Sequence, residues 1–257
     1  MQKRREFLIV AAMAAGVMSA SASAGIVVGY YTDFNPKAMG WEGPIAANGF
    51  TAVQVLDISI FDFSTVDIMV IDESSNVEIG GDLLGRAADL DAYTLGGGKV
   101  VIHDRYVTNS SWIPGGGGMT LVRDFTFDTD LNVVTGGTQV TDGPFGTITD
   151  TNLDNGTSSN HGWALDLPGG ATTFLSSGPQ AFRAAALSYS HGSGFVFYSS
   201  IPLDFYLAGN GPDPPLGNFI NIYAPNVLAY MERVPAPGAL ALLGLGGIAV
   251  RRRRRSE

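Results

Sequence analysis

The sequence predicts an α/β protein: a single domain with a mostly parallel β-sheet and helices on both faces. Four short apolar runs rich in β-branched residues, at 26–31, 52–58, 66–72 and 99–104, are interspersed with two helix-compatible segments, at 36–48 and 81–95. The runs are nearly continuous in hydrophobicity, which is typical of strands buried on both faces. The order strand, helix, strand, strand, helix, strand favours a parallel sheet.

Each predicted element has a local signal. Each of the four apolar runs ends near an aspartate or a polar turn, and Gly96, Gly97 and Gly98 end the helix predicted at 81–95. Residues 184–189 and 195–200, joined by a turn at 191–194, predict an antiparallel hairpin. Residues 217–233 predict a closing helix, in which Pro225 indicates a kink or a late start.

The middle of the chain, residues 108–179, has a different composition. It is rich in Gly, Thr, Asn and Asp, and its apolar pieces are short, such as 132–135. We therefore expect an irregular insertion of loops and small strands that decorates the sheet. A β-rich sandwich stays open as a rival fold, because such a middle would permit it.

The first 24 residues predict a secretory signal peptide. Lys3, Arg4 and Arg5 precede an apolar stretch at 7–18, and small residues follow up to Ala24, with Ala22 and Ala24 in an A-x-A arrangement. This is the order of a basic region, an apolar region and a cleavage site for signal peptidase. The globular domain is then expected at 25–233.

The last 24 residues, 234–257, predict a removable sorting tail. A proline motif precedes an apolar segment at 238–250 and a basic cluster; the motif is Val234, Pro235, Ala236 and Pro237, and the cluster is Arg251, Arg252, Arg253, Arg254 and Arg255. The apolar segment is shorter than the about 20 residues of a stable membrane span, so we expect transient insertion, with the arginines stopping transfer. A buried C-terminal helix with a solvated basic end is the alternative.

This three-part tail resembles the PEP-CTERM sorting signal, with Ala236 where the name-giving pattern has Glu. The resemblance implies processing by an exosortase-type membrane protease. It also implies a secreted or cell-surface protein, whose precursor is membrane-associated through its C-terminal segment.

Charge and cysteine content narrow the function further. Eight of the 15 basic and two of the 24 acidic residues lie in the terminal segments, which leaves 7 basic and 22 acidic groups in the body, a net charge of −15. Such a body repels phosphates, so the sequence excludes nucleic acid as a partner. The chain has no cysteine, so neither disulfides nor thiolate chemistry is available.

The body resembles the class I glutamine-amidotransferase-like fold, which is flavodoxin-like. The resemblance rests on the run 96–103 and on the later run 194–204. The family's catalytic cysteine would follow the first run, where this chain has His103, Asp104 and Arg105, and its histidine would follow the second, where this chain has Ser199 and Ser200. The resemblance thus implies the fold without the family's glutamine hydrolysis.

His103, Asp104 and Asp204 are the candidate catalytic residues, because the first two end a central strand and open α/β sheets place ligands at strand ends. Structural roles at the strand end are the alternative. A Ser/His/Asp set can be assembled from Ser199 or Ser200, His103 or His191, and Asp204, but no Gly-x-Ser-x-Gly elbow marks a nucleophile. His161, beside Trp163, is a further pocket candidate.

Calcium is the one metal that the sequence suggests, and no cofactor is predicted. Asp150, Asn152 and Asp154 alternate as oxygen ligands do in a Ca²⁺ loop, as do Asp128, Asp130 and Asn132, but neither segment has the downstream glutamate of an EF-hand. Asx-rich turns explain both segments equally well.

Three tryptophans, Trp41, Trp112 and Trp163, lie in predicted loops, where they could stack on sugars or cover the edge of a core. Together these observations predict an exported, exosortase-processed surface or extracellular-matrix protein. Its domain is expected to be a non-catalytic structural or binding module, with extracellular polysaccharide as a candidate partner. The alternative is an extracellular hydrolase or sugar-active enzyme with a pocket around His103, Asp104 and Asp204.

Overall fold

The computed structural model describes residues 25–234. The predicted signal peptide, the apolar segment at 238–250 and the arginine cluster lie outside the described residues, as does the sorting motif after Val234. The strands are β1 Val27–Thr32, β2 Thr51–Gln54, β3 Ile68–Glu73, β4 Lys99–Asp104, β5 Thr120–Arg123, β6 Leu131–Val133, β7 Asp142–Gly143, β8 Gly146–Thr147, β9 Gly162–Leu165, β10 Thr172–Ser177, β11 Ala184–His191 and β12 Gly194–Ser199. The helices are α1 Glu42–Ala47, α2 Gly81–Gly85, α3 Ala87–Leu95, α4 Leu203–Leu207, α5 Pro215–Asn218 and α6 Ala224–Arg233.

Ten strands form one mixed sheet. Its main path runs β2-β1-β3-β4-β12-β11-β10-β6. The pairs from β2 to β12 are parallel, and the pairs from β12 to β6 are antiparallel. Strand β9 pairs with β11 and β5, and β7 and β8 form a separate small ribbon. The predicted α/β class in a single sheet is confirmed, and the sheet is mixed rather than mostly parallel.

Helices cover both faces of the parallel half, as predicted. On one face, Ile45 of α1 and Val227 of α6 pack in the same core cluster as Val70 of β3. On the other face, Leu83 of α2 and Leu90 of α3 pack with the neighbouring β3 residues. Because successive strand residues point to opposite faces, the four consecutive apolar residues of β3, 68–71, supply both cores.

Two predicted helices are shorter than expected. The segment 36–48 is helical only over Glu42–Ala47, and the segment 81–95 is divided at Arg86 into α2 and α3. Arg86 reaches back to the loop after β2, where its guanidinium donates to the carbonyls of Ile58 and Phe61 at 2.6 and 2.8 Å. This contact fixes the junction between the two helices against the loop.

The insertion contributes more to the sheet than its composition predicts. Strands β6, β9 and β10 all belong to the ten-stranded sheet, where the sequence predicts only decoration. The hairpin is confirmed as β11 and β12, with His191 opposite Gly194. The pairings of β6 with β10 and of β5 with β9 join segments distant in sequence, so local periodicity carries little signal for them.

The closing helix begins at α5, passes through a π-helical stretch at Phe219–Tyr223 and continues as α6. Pro225 lies in the first turn of α6, where its missing N–H is tolerated. The proline therefore marks a local change of helix geometry. Over residues 25–234, no helix combines the length and the apolar character needed to cross a membrane.

Candidate functional site

The candidate site lies where the strand order of the parallel half reverses. The chain passes from β1 outward to β2 at the sheet edge and then back past β1 to β3. The segments that follow β1 and β3 therefore diverge at the carboxyl ends of these strands. Open α/β sheets bind ligands at such switch points. Two clefts open at this edge.

The smaller cleft, of about 260 Å³, is bounded by the ends of β1, β3 and β4 and by helix α4. Its lining combines hydroxyl, amide, guanidinium and carboxylate groups with the ring of Phe205; the polar side chains are Thr32, Asn35, Ser74, Arg105, Asp204 and Asn210. Such a set can donate and accept hydrogen bonds at several points around a small polar ligand.

The larger cleft, of about 510 Å³, lies on the other side of the loop that follows β1. It combines acidic and apolar groups, contributed by Tyr31, Asp33, Phe34, Leu56, Asp57 and Asp82. The loop after β1 contributes to both clefts, with Asp33, Phe34 and Pro36 in the larger and Asn35 and Ala38 in the smaller. The two clefts are therefore neighbours on one edge of the sheet.

Arg105 and Asp204 form an ion pair in the wall of the smaller cleft. Arg105 Nη1 lies 3.3 Å from Asp204 Oδ2 and donates to the carbonyl of Ser74 at 3.1 Å. Both side chains keep a small exposed fraction. Burial raises the pKa of Asp204 to about 6, and the Arg105 guanidinium opposes this rise. Asp204 can therefore exchange a proton near neutral pH.

A row of polar side chains lies beneath this cleft on the face that α1 and α6 cover. Register pairs Asp72 with Thr32 on one side and with His103 on the other, and His103 in turn with Ser199. Since paired residues of neighbouring strands point to the same face, these four side chains stand side by side. All four are at most 4% exposed.

Asp72 and His103 have unused hydrogen-bonding capacity. Asp72 Oδ2 accepts from Trp41 Nε1 at 2.7 Å, but Asp72 Oδ1 and both ring nitrogens of His103 have no hydrogen-bond partner. His103 Nδ1 lies 3.6 Å from Asp72 Oδ1. Burial raises the pKa of Asp72 well above its usual value, and Asp204 adds to this rise. Burial lowers the pKa of His103 to about 3, so its ring is neutral.

Aromatic rings surround His103 on this face. The ring centroids of Trp41, Phe197 and Tyr223 lie 5.7, 6.2 and 5.8 Å from that of His103. The Tyr223 hydroxyl donates to Ser199 Oγ at 3.1 Å, which leaves His103 without that partner. His103 therefore sits in a packed aromatic environment behind the cleft wall and does not line the cleft itself.

A second polar row, on the opposite face, is fully satisfied. Asp104 Oδ1 accepts from the backbone N–H groups of Tyr106 and Val107, both at 2.8 Å, and Asp104 Oδ2 accepts from the Tyr198 hydroxyl at 3.0 Å. Its register partner Glu73 accepts from the N–H groups of Ser75 and Tyr106 at 2.7 and 2.8 Å. These two carboxylates anchor the loops that follow β3 and β4.

The structure thus separates the three catalytic candidates. Asp204 lines the smaller cleft, and His103 lies behind the cleft wall on the same face as Asp72. Asp104 points to the opposite face, because consecutive strand residues alternate. The pocket that the sequence predicts around all three residues is not assembled.

The remaining serine and histidine candidates do not form a triad within residues 25–234. Ser200 Oγ donates to the carbonyl of Gly162 at 2.6 Å. His161 Nδ1 lies 2.8 Å from the carbonyl oxygen of Arg105, and burial lowers its pKa to about 4. His191 Nε2 lies 2.7 Å from Asp91 Oδ1 on α3. Each group has a local structural partner.

The candidate calcium ligands accept hydrogen bonds from backbone N–H groups, two of which belong to the edge strand β6. Asp154 Oδ1 accepts from the N–H of Leu131 and Asp150 Oδ1 from that of Val133, both at 2.8 Å, while Asn152 Oδ1 accepts from the N–H of Thr149 at 3.0 Å. The two carboxylates thus satisfy alternate donors of the edge strand β6. Within residues 25–234, no group of three or more His, Cys, Asp or Glu side chains is arranged to hold a metal.

The three tryptophans belong to the core. Trp41, Trp112 and Trp163 are 2%, 1% and 6% exposed, so none offers a free ring face for stacking. Trp41 donates to Asp72, and the Arg183 guanidinium lies 4.3 Å from the Trp163 ring centroid. The core alternative is the correct one for all three.

Three residues of the site are missing from the predicted set: Asp72, Arg105 and Phe34. Asp72 ends the third apolar run, and its position in a strand that is buried on both faces is a usable signal for a buried acid. Arg105 directly follows His103 and Asp104, but a positive side chain after a strand does not by itself indicate a cleft. Phe34 lies between the apolar run 26–31 and the helix-compatible segment 36–48, so nothing in the pattern identifies it as exposed.

Comparisons with known proteins do not assign a family. No protein-family model matches the chain, and no curated protein matches it in sequence. Solved structures that align with the chain include an exo-β-1,4-mannosidase from Opitutaceae bacterium strain TAV5, with 11% identity and a TM-score of 0.47, and a β-galactosidase from Bacillus circulans sp. alkalophilus, with 9% identity and a TM-score of 0.39. The alignments cover 83% and 82% of this chain but only 37% and 32% of those chains.

Proposed function

We propose that this protein is an exported, exosortase-processed bacterial surface or extracellular-matrix protein, whose domain is a non-catalytic module that binds extracellular polysaccharide. The observation that carries the proposal is the smaller cleft at the carboxyl edge of the sheet. Its hydroxyl, amide, carboxylate and guanidinium groups, together with the Phe205 ring, are the groups that recognise sugar hydroxyls and the apolar face of a pyranose.

The non-catalytic part of the proposal is supported by how the candidate reactive groups are used. His103 is enclosed by aromatic rings, Asp104 is bound by loop N–H groups, and Ser200 donates to a carbonyl. Each of these groups serves packing or anchoring instead of facing a ligand. The chain has no cysteine at the turn after β4, where the amidotransferase-like nucleophile would stand.

The finer fold assignment, flavodoxin-like and amidotransferase-like, is part of the same proposal. Its support is the parallel strand order β2-β1-β3-β4-β12, which has the form 2-1-3-4-5 of the flavodoxin-like sheet. The antiparallel half that follows β12 is an addition to that order.

The proposed location of the protein rests on the sequences of its two terminal segments. Signal peptidase would act after Ala24, and an exosortase-type protease would act at the motif from Val234 to Pro237, after transient insertion of 238–250. Intact-mass spectrometry of the protein recovered from its native surface tests this. The mature chain is expected to lack the segment 1–24 and the cluster 251–255, and retention of Arg251 to Arg255 would contradict exosortase processing.

One observation favours a second function, an extracellular hydrolase. Asp204 lines the cleft with a pKa raised to about 6, and a second carboxyl group with a raised pKa, that of Asp72, lies behind it. Two carboxyl groups near one cleft are what acid–base hydrolysis of a glycoside requires.

A screen of the purified protein against glycans and chromogenic glycosides separates the two functions. Binding without turnover, weakened at least tenfold in Asp204→Asn and unchanged in Asp166→Asn, is the result that the module predicts. Asp166 is a matched control, because it is an exposed aspartate outside both clefts. Turnover that disappears in Asp204→Asn or His103→Ala would establish the hydrolase instead.

A further inference from the structure

The loop after β1 lies between the two clefts and presents an exposed aromatic ring that lines the larger one. Phe34 is 53% exposed and has φ = 61°, a backbone conformation that bulky residues rarely adopt. Its neighbours Asp33 and Pro36 face the larger cleft, and Asn35 faces the smaller one. A strained residue is retained only where its surroundings hold it in place, and such residues cluster at binding sites.

Hydrogen bonds from three directions hold this loop. Gly80 N donates to Asp33 Oδ2 at 2.6 Å, and the Ser74 hydroxyl donates to the Asp33 carbonyl. Gln54 Nε2, at the end of the edge strand β2, donates to the carbonyls of Pro36 and Ala38 at 3.3 and 3.1 Å. The Phe34 ring is therefore offered to solvent from a fixed backbone, which lowers the entropic cost of binding.

The charges of both clefts restrict the ligand. The larger cleft is lined by Asp33, Asp57 and Asp82 and by no basic residue. In the smaller cleft, the only basic lining residue is Arg105, and it is already paired with Asp204. Although the exposed Lys37 lies in the loop between the clefts, a polyanionic chain would meet repulsion from the three carboxyl groups of the larger cleft, whereas an uncharged or amine-bearing sugar chain would not.

We propose that the two clefts are subsites of one extended site for a strand of a non-anionic polysaccharide, and that one sugar ring stacks on Phe34 where the strand crosses between them. This inference rests on the proposed polysaccharide-binding function and adds the length and charge of the ligand. A ligand confined to the smaller cleft, where the proposed function places a single sugar, would leave Phe34 without a contact, whereas a chain of three or more sugars contacts both clefts and the ring.

The test is a set of length ladders titrated against the full-length protein. Cello-, manno- and chitosan oligosaccharides represent uncharged and amine-bearing chains, and oligogalacturonates represent anionic ones, each from one to six units. At least one uncharged or amine-bearing ladder is expected to gain tenfold or more in affinity between one and three units. The oligogalacturonate ladder is expected to remain weak at every length.

Phe34→Ala supplies the residue-level test, with Phe182→Ala as its control. Phe182 is an equally large ring that is 65% exposed and lies outside both clefts. Phe34→Ala is expected to abolish most of the gain with length and to leave monosaccharide affinity within twofold, while Phe182→Ala changes neither.

The outcomes separate this inference from the proposed function. Binding that does not depend on length, or a length gain that survives Phe34→Ala, would overturn the extended site and leave the single-cleft module intact. Strong binding of the anionic ladder would contradict the charge argument. Absence of binding by every ladder would overturn both proposals.

Discussion

The two faces of β3 and β4 end in polar rows of similar composition but different use. On one face, Glu73 and Asp104 are bound by loop N–H groups and by the Tyr198 hydroxyl. On the other face, Asp72 Oδ1 and both ring nitrogens of His103 have no hydrogen-bond partner. The residues of each row are neighbours in the chain, and strand alternation alone assigns them to different surroundings.

The two rows therefore use their carboxyl groups differently: Glu73 and Asp104 anchor loops, whereas Asp72 keeps an oxygen without a hydrogen-bond partner. A buried carboxylate that accepts several N–H bonds stabilises the loops around it, and removing it leaves those donors unsatisfied. Asp72 and His103, whose only side-chain hydrogen bond is the one that Asp72 accepts from Trp41, contribute less to stability, so the neutral replacement of Asp72 should cost little. The unsatisfied row is also the one that lies beneath the small cleft, beside Arg105 and Asp204.

The largest effect is expected at Asp104. Asp104→Ala removes the acceptor of two backbone N–H groups and of the Tyr198 hydroxyl, so we expect a loss of about 3–5 kcal/mol in the free energy of unfolding, measured by urea denaturation. Glu78→Ala, which removes an exposed carboxylate, should change it by less than about 0.5 kcal/mol. A loss at Asp104 no larger than in the control would show that Asp104 does not anchor the loop after β4.

An intermediate, pH-dependent effect is expected at His103. The pKa of His103 is about 3 in the folded protein and 6.5 in the unfolded chain, so between these values the unfolded chain binds a proton that the folded protein does not. The contribution of His103 to the free energy of unfolding is therefore fully present above pH 6.5 and is lost as the pH falls toward 3. Between pH 7.5 and 4, the wild type should lose about 3 kcal/mol more stability than His103→Phe, which keeps an aromatic ring in the same packing. Parallel pH curves for the two proteins would show that His103 is not held neutral.

The smallest effect is expected at Asp72. Asp72→Asn keeps an oxygen for Trp41 Nε1 and removes a buried group whose charged form is disfavoured, so the free energy of unfolding at pH 7 should change by less than about 1 kcal/mol. Thermal and urea unfolding measure this directly. A loss above about 3 kcal/mol would mean that the Asp72 carboxylate is charged and paired in the folded protein, which would erase the difference between the rows.

The parallel strands were predictable because their signal is local. The run at 99–104 coincides with β4, and the runs at 26–31 and 66–72 differ from β1 and β3 by one or two residues. In contrast, β6 has only three residues, and its partner β10 lies far along the chain, with Val133 opposite Leu175. Propensity does not reveal such pairings.

The site was predictable in position but not in composition. The carboxyl edge follows from strand order, and Asp204 does line a cleft there. His103 and Asp104 are adjacent in sequence, which favours a shared pocket, yet the alternation of side chains along β4 places them on opposite faces of the sheet. Phe34 and Arg105 depend on the path of a loop and on a contact 99 residues away in the chain, Arg105 with Asp204, which local patterns cannot specify.

Hydrogen–deuterium exchange with and without the tightest-binding oligosaccharide tests the central claim, that the carboxyl edge of the sheet is the ligand site. Protection is expected in two segments, 32–40 and 203–210, which line the two clefts. The opposite edge, including 96–98, should exchange at an unchanged rate. Protection confined to that opposite edge, or to the antiparallel half of the sheet, would contradict this placement of the site.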